Sequence, residues 1–316
     1  MPLKIGFVMD DINVINTKKD TSFAMMLEAQ RRGHEVYYML IEDLSINNGQ
    51  PLALATQISV TDTSENFYQV VTRKDITLDS LDAILMRKDP PFDSQFLYAT
   101  QILELAENKG TVVVNKPSAL RDFNEKLFTS LYPEYIPDTL VSADKKQIKA
   151  FQALHGDIIC KPLDGMGGTS IYRIKQDGLN LGVITEVLTD NGKQHAMFQR
   201  YMPQIVDGDK RILLIDGEVV PYCLARLPAQ NETRGNLAAG GSGRPQEVTD
   251  EELQIAQAIA NDMPSRGIIF VGLDMIGDKV TEINITSPTC VREIEAAYPI
   301  NICGKLFDAI EKRVAQ

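Results

Sequence analysis

A chain of 316 residues, 44% hydrophobic and 24% charged, has the make-up of a globular protein with room for two or three structural units. Its formal net charge of −11 argues against binding a nucleic-acid backbone, and no apolar run approaches the roughly 20 residues of a membrane span. Cys160, Cys223, Cys290 and Cys303 lack paired spacing and His34, His155 and His195 are dispersed, which excludes a disulfide framework and a zinc or histidine metal site in favour of reduced thiols.

Residues 5–9 form a short apolar run suited to a buried strand, and Asp10 and Asp11 directly behind it do not suit a signal peptide. A cytoplasmic location is therefore expected. Asp20 or Thr21 can cap a helix in which Phe23, Met26, Leu27 and Gln30 recur at helical spacing, and Gly33 ends it. Residues 35–40, 83–86 and 111–114 supply further strands, with a helix over 97–107. Strands alternating with helices imply a parallel sheet with crossovers.

A second region begins near Arg121. It holds a helix over 124–131, another over 145–154, a strand over 157–161, a Gly-rich turn and a strand over 170–174. The third region reads as antiparallel. Asp216-Gly217 is a strong hairpin signal between 211–215 and 218–224, and Gly277-Asp278-Lys279 marks a second hairpin between 268–276 and 280–285. Between them, residues 227–245 lack apolar periodicity, and a loop of that length is usually functional or disordered.

Three groups of residues could carry chemistry. The turn Asp164-Gly165-Met166-Gly167-Gly168 is not a P-loop, because no Gly-Lys-Ser/Thr follows, and Ser170 stands where a dinucleotide fingerprint needs its third glycine. With Lys161 at the end of the incoming strand it reads either as a phosphate clamp or as a β-turn needing positive φ. In the second hairpin, Glu282 and Asn284 share a face, and a three-residue loop would set Asp274 opposite Glu282. Two carboxylates and an amide suit magnesium; the other reading is a solvated acidic face. The apolar neighbours Leu273, Met275 and Ile283 argue for burial, where carboxylates need a cation. Arg211, Arg226 and Arg234 cluster around the hairpins and the long loop, where guanidinium groups can bind carboxylate or phosphate bidentately. Gln199-Arg200-Tyr201-Met202-Pro203, after an apolar strand end, could wall an adenine ring or serve as core and linker.

Taken together these residues resemble the bacterial glutathione synthetases of the ATP-grasp superfamily, nearly end to end. The resemblance rests on residues 15–23, on Met86-Arg87-Lys88-Asp89-Pro90-Pro91, on Asn124-Glu125-Lys126-Leu127, and on the segment from Cys160 through the Gly-rich turn. It extends to Glu232-Thr233-Arg234-Gly235-Asn236-Leu237-Ala238-Ala239-Gly240-Gly241 and to residues 281–289. Glu-x-Asn on a late strand supports the superfamily alone; the Arg-Lys-Asp-Pro-Pro and Arg-Gly-Asn-Leu segments are far more restrictive.

The resemblance implies an α/β protein with an N-terminal parallel α/β domain (1–122) followed by a two-subdomain ATP-grasp unit (123–202 and 203–316). It implies that Lys126, Lys161, Gly165, Met166, Gly167 and Gly168 hold ATP phosphates, and that Gln199, Tyr201 and Met202 line the adenine pocket. Asp274, Glu282 and Asn284 would bind magnesium, or manganese in its place. Arg211, Arg226 and Arg234 would be catalytic, with Arg87 and Ser287 on the substrate. The implied reaction joins γ-glutamylcysteine and glycine through an acyl phosphate, in a homotetramer with no nucleic-acid or membrane partner. Two rivals stand beside it: another ATP-grasp carboxylate–amine ligase, and a nucleotide-binding regulatory module without turnover, which would have little use for a long lid with its own arginine.

Overall fold

The computed structural model describes residues 2–230, 232, 234–235 and 240–316. The first third runs β1 (Lys4–Val8), α1 (Thr21–Arg31), β2 (Glu35–Met39), β3 (Leu44–Asn47), β4 (Gln50–Val60), β5 (Tyr68–Thr77), β6 (Ala83–Met86), α2 (Ser94–Glu107), β7 (Val112–Val114) and α3 (Pro117–Asp122). Strands β2-β1-β6-β7 are parallel, as the alternation of strands and helices implies. The Asp20 carboxylate caps α1 by accepting from Phe23 N–H at 2.6 Å, and Gly33, at φ +81°, follows its end.

The sheet is not wholly parallel, however. β4 pairs antiparallel with β5 along one edge and with β3 and β2 along the other. Residues 50–60 bury Pro51, Ala53, Ala55, Ile58 and Val60, the two-residue period of a half-buried strand interrupted once by a register shift at 57–58. A second difference concerns residues 124–131, where only Leu127–Leu131 are helical, in a tight 3-10 turn. The Asn124 side chain accepts from the N–H groups of Lys126 and Leu127 and so turns the chain there.

The second sheet is built from β8 (Thr139–Ser142), α4 (Lys145–His155), β9 (Ile158–Pro162), β10 (Tyr172–Ile174), α5 (Leu181–Leu188) and β11 (Ala196–Arg200), in the strand order β10-β9-β11-β8. Ile158, Cys160, Ala196 and Phe198 bury one face against Ile148 of α4 and Leu188 of α5. By the period of two, Ile159, Lys161 and Gln199 occupy the other face.

The third sheet, ordered β14-β13-β12-β15-β16, comes from β12 (Asp209–Ile215), β13 (Glu218–Leu227), β14 (Ser242–Glu247), α6 (Asp250–Ala260), β15 (Phe270–Ile276) and β16 (Lys279–Asn284), followed by α7 (Val291–Ala297) and α8 (Ile302–Val314). Asp216 and Gly217 both take positive φ, +51° and +85°, the requirement of a type I′ hairpin. The expected loop over 227–245 is shorter than its composition implies, because residues 242–245 belong to β14 and pair with β13.

α7 and α8 return to the first sheet, so that Phe307 and Ile310 share a core with Ile5, Phe7 and Phe23 and with Leu213 and Ile215 of β12. Asn115 ties the first and third sheets together: its amide donates to the Phe270 and Ile285 carbonyls, and its oxygen accepts from Ile269 and Phe270 N–H. Among the described residues no helix is long and apolar enough to cross a membrane, and the four cysteines are buried and unpaired.

Candidate active site

A cleft of about 870 Å³ opens between the second and third sheets. The Gly-rich turn forms its rim, with Gly167 and Gly168 at φ +61° and +82°. A Cβ on Gly165 would sit 2.8 Å from the Pro162 ring, so a side chain there would push the turn away from β9. Lys161 reaches the cleft from β9 and donates to the Thr281 carbonyl at 3.2 Å. Burial pulls its ammonium down to about 8, a shift that Glu282 only partly offsets. Lys126 enters from the 3-10 turn, donates to the Gly165 carbonyl at 2.6 Å and pairs with Glu282 at 3.0 Å. At the far end, Gln199, Tyr201 and Met202 line an apolar wall with Ile159, Ile205 and Ile276. The Arg173 guanidinium stacks 3.6 Å from the Tyr201 ring centroid while pairing with Asp157 at 2.5 Å.

The cleft floor is the third sheet. Asp274 is the direct cross-strand partner of both Arg211 on β12 and Glu282 on β16. The expected pairing of Asp274 with Glu282 is thus found, by a different route. The turn has two residues, Gly277-Asp278, and a bulge at Thr281 restores the register while aiming both Thr281 and Glu282 into the cleft. Arg211 holds Asp274 bidentately at 2.5 and 3.0 Å, and Arg226 pairs with Asp274 at 2.8 Å and with Asp209 at 2.5 Å. Burial alone would raise the Asp274 carboxyl, but the two arginines overcome it and hold it low. Burial raises the Asp209 carboxyl despite Arg226, and its Oδ1 is buried with no partner. Gly272 lets Arg211 lie flat across β15, since a Cβ there would meet the Arg211 side chain at 2.9 Å.

Beyond the Gly-rich turn a second cavity, of about 820 Å³, is lined by Arg211, Arg226, Asn284, Ser287, Thr289 and Asp89. It shares Gly165, Met166, Gly167 and Glu282 with the cleft. Arg87 belongs under this cavity and not on its wall: it donates to Ser22 Oγ at 3.0 Å and to the Pro288 carbonyl at 2.9 Å, and Ser287 Oγ donates to the Arg87 carbonyl. Its Nη1 is buried without a partner. Arg234 lies over the turn, donating to the Gly168 carbonyl at 2.9 Å and pairing with Glu232 at 2.5 Å. Thr233, Asn236, Leu237, Ala238 and Ala239 of the same segment lie outside the described residues.

The donor set at the junction fits a magnesium ion in its chemistry. Asn284 Nδ2 donates to the Gly272 carbonyl, which leaves Oδ1 as the atom available to a cation beside Glu282. Among the described residues there is no cluster of three acidic, His or Cys side chains, so the set depends on that amide. Asp274 would have to share its oxygens with the arginines. Two participants escaped the sequence reading. Asp209 lies two residues from Arg211 on one strand, a spacing that was there to be used. Glu125, whose Oε1 accepts from Ile285 N–H, Thr286 N–H and Thr286 Oγ, gave no local signal.

Residues 3–121 match the prokaryotic glutathione synthetase N-terminal domain, and residues 125–299 match the prokaryotic glutathione synthetase ATP-grasp domain. The chain belongs to the prokaryotic glutathione synthetase family. It is 59% identical over 312 residues to a glutathione synthetase of Citrobacter rodentium and 57% identical over 314 residues to one of Vibrio vulnificus, each covering 99% of both chains. In fold it resembles the ATP-grasp ligase PsnB complexed with a minimal precursor, with a TM-score of 0.65 at 19% identity, covering 99% of this chain and 100% of that one. As a family member it is an ATP-dependent ligase of glutathione synthesis, and ATP is its co-substrate.

Proposed function

We propose that this chain joins γ-glutamylcysteine to glycine, with ATP in the cleft and the dipeptide in the cavity beyond the Gly-rich turn. The observation that carries this reading is that the two spaces meet at Gly165–167 and Glu282, so that a terminal phosphate and a carboxylate can approach from opposite sides. Lys126, Lys161 and the backbone of Gly165, Met166, Gly167 and Gly168 hold the phosphates; Gln199, Tyr201 and Met202 hold the adenine. A free carboxylate is a poor acylating agent because oxide would have to leave. Phosphorylating the cysteinyl carboxylate makes phosphate the leaving group, and charge neutralisation plus positioning supply the rate.

Magnesium, or manganese, held by Asp274, Glu282 and Asn284 would neutralise charge on the transferring phosphoryl group. Arg211 and Arg226, fixed by Asp274 and Asp209, stabilise the oxyanion formed when the amine attacks. Arg234 excludes water from the acyl phosphate. Arg87 and Ser287 set the substrate-side segment. In domain terms, 1–122 carries the substrate side and 123–202 and 203–316 clasp ATP. The buried, unpaired thiols suit a cytoplasmic enzyme, and the homotetramer implied by resemblance is read by light scattering.

The test is ADP release, which should be fast only with magnesium, γ-glutamylcysteine and glycine together. Equal release without the dipeptide would sink the proposal. Glu282→Gln should remain folded, lose turnover and need more metal for half-maximal rate; unchanged metal dependence would return the hairpin acids to a structural role.

A further inference from the structure

The consecutive residues Asn124, Glu125 and Lys126 fasten the Gly-rich turn to the edge of the third sheet. The Asn124 amide donates to the Leu163 carbonyl at 3.0 Å, just ahead of the turn. Lys126 joins the Gly165 carbonyl to Glu282. Glu125, between them, addresses the backbone of β16. That strand is the last of its sheet, so one row of its N–H groups has no neighbouring strand to meet. Glu125 stands in for one. Its main-chain carbonyl accepts from Ile283 N–H at 3.0 Å, and its Oε1 accepts from Ile285 N–H at 2.8 Å and from Thr286 N–H at 2.9 Å. Thr286 Oγ donates to the same oxygen at 2.8 Å. The Asn115 amide then takes the Ile285 carbonyl at 2.7 Å, so both backbone groups of Ile285 are held by side chains.

Ile283 and Ile285 are buried, and by the two-residue period Glu282 and Asn284 face the other way, onto the cleft and the cavity beyond it. β16 ends at Asn284, so whatever holds the next residue sets the direction in which the Asn284 amide points. A carboxylate suits that task, because its bonds to N–H groups are about twice as strong as those of a neutral acceptor.

We infer that Glu125 is a positioning residue for the ligation: by holding residues 285 and 286 it keeps Asn284 and Glu282 at a fixed reach from the Gly-rich turn, where the metal–nucleotide complex meets them together. The inference rests on the proposed metal set and adds the residue that orients it.

Binding of the Mn2+–ADP complex to the enzyme tests it, read from the EPR signal of unbound Mn2+. Glu125→Ala should raise the dissociation constant by roughly ten- to hundredfold, as removal of a group that orients a metal ligand does. Glu125→Gln keeps an acceptor oxygen in the same place and should stay within about threefold of the unaltered enzyme. The magnesium concentration needed for half-maximal rate should rise in the same order. Thr249→Ala removes the α6 cap and supplies a loss of stability alone, so it should leave the dissociation constant within about twofold. If Glu125→Ala does not fold, Glu125→Asp decides, since its carboxylate falls one methylene short of Ile285 and should raise the constant at least about fivefold. An unchanged constant in the deciding variant would overturn the inference. So would a rise in Glu125→Gln equal to that of the deciding variant, which would make Glu125 act through its charge, or an equal rise in Thr249→Ala. Failure of the metal set itself reads differently: Glu282→Gln would then leave the constant unchanged.

Discussion

On the β9 side of the cleft, Lys161 is tied to the Thr281 carbonyl, and Lys126 is shared between the Gly165 carbonyl and the partly exposed Glu282 carboxylate. On the β12–β13 side, Arg211 and Arg226 are held by Asp274 and Asp209 through direct cross-strand pairs. A carbonyl is a weak partner for an ammonium, and a phosphate can displace it at little cost. A buried carboxylate holds a guanidinium in one geometry, and loses it only at the cost of an uncompensated charge. The first arrangement suits groups that must receive and release a nucleotide each turnover. The second suits groups that must stand still while charge develops on a carbonyl oxygen.

If that contrast is right, the largest effect comes from removing the shared anion. Asp274→Asn leaves Arg211 without its bidentate partner and Arg226 with Asp209 alone, so it should cost about 3–5 kcal/mol of stability. Turnover should fall by at least about a thousandfold, as the arginines and the metal set lose their common anchor. Urea unfolding and kcat measure the two losses. A stable, active variant would mean that the arginines are positioned by something else.

The lysine side should respond instead to pH. Lys161 sits at about 8 in the folded chain, below its ordinary 10.5, because its charged form is poorly solvated. The free protein therefore loses this charge as pH rises through about 8, and kcat/KM for ATP should fall there, while bound phosphate favours the charged form and moves the limb of kcat higher. Stability moves the other way: between these two values the unfolded chain keeps a proton that the folded chain lacks, so this group adds stability as pH rises. Lys161→Arg should erase the limb near pH 8. A profile that stays level to pH 9.5 in the unaltered protein would put the working charge elsewhere.

Much of this contrast is written locally in the chain, and the rest depends on bulges. The positive-φ glycines of the Gly-rich turn, the Asp216-Gly217 turn and the α1 cap each act within a few residues, and each is found where the sequence puts it. The Arg226–Asp209 pair is different. Counting back from the two-residue turn sets Arg226 opposite Asp207, and an irregularity between Ile212 and Leu214, where Pro221 interrupts β13, moves it to Asp209. No local pattern announces that shift. The β4–β5 ribbon went unread because the alternation over 50–60 is carried by small residues such as Ala53 and Ala55, which give little hydrophobic signal. Glu125 could not be found from spacing, since its partners lie about 160 residues away.

A smaller effect is expected at Arg234, which bridges the two sides through the Gly168 carbonyl. Arg234→Ala removes one charge-assisted hydrogen bond, so turnover should drop by roughly tenfold with ATP affinity nearly intact. More ADP should then form than peptide, because water gains entry to the acyl phosphate. A preserved one-to-one ratio of ADP to product would mean that this arginine serves binding and not exclusion.

The smallest effect belongs to the adenine end, where the contrast between loose and fixed cations reappears in a neutral setting. Arg173 stacks on Tyr201 at 3.6 Å and is itself held by Asp157, so the phenol ring is pinned from outside the cleft. A cation–π contact at a partly exposed site is worth about 0.5–1 kcal/mol, which corresponds to a two- to fivefold change in an equilibrium constant. Arg173→Ala should therefore raise the KM for ATP by roughly two- to fivefold, with kcat and the KM for glycine unchanged, if Tyr201 meets the base and not the reacting phosphate, as proposed. The effect should not depend on salt, since Asp157 already screens the guanidinium. A fall in kcat larger than the rise in KM would place Arg173 in the coupling between nucleotide and turn, through β10, and would make the adenine wall part of the moving side of the cleft.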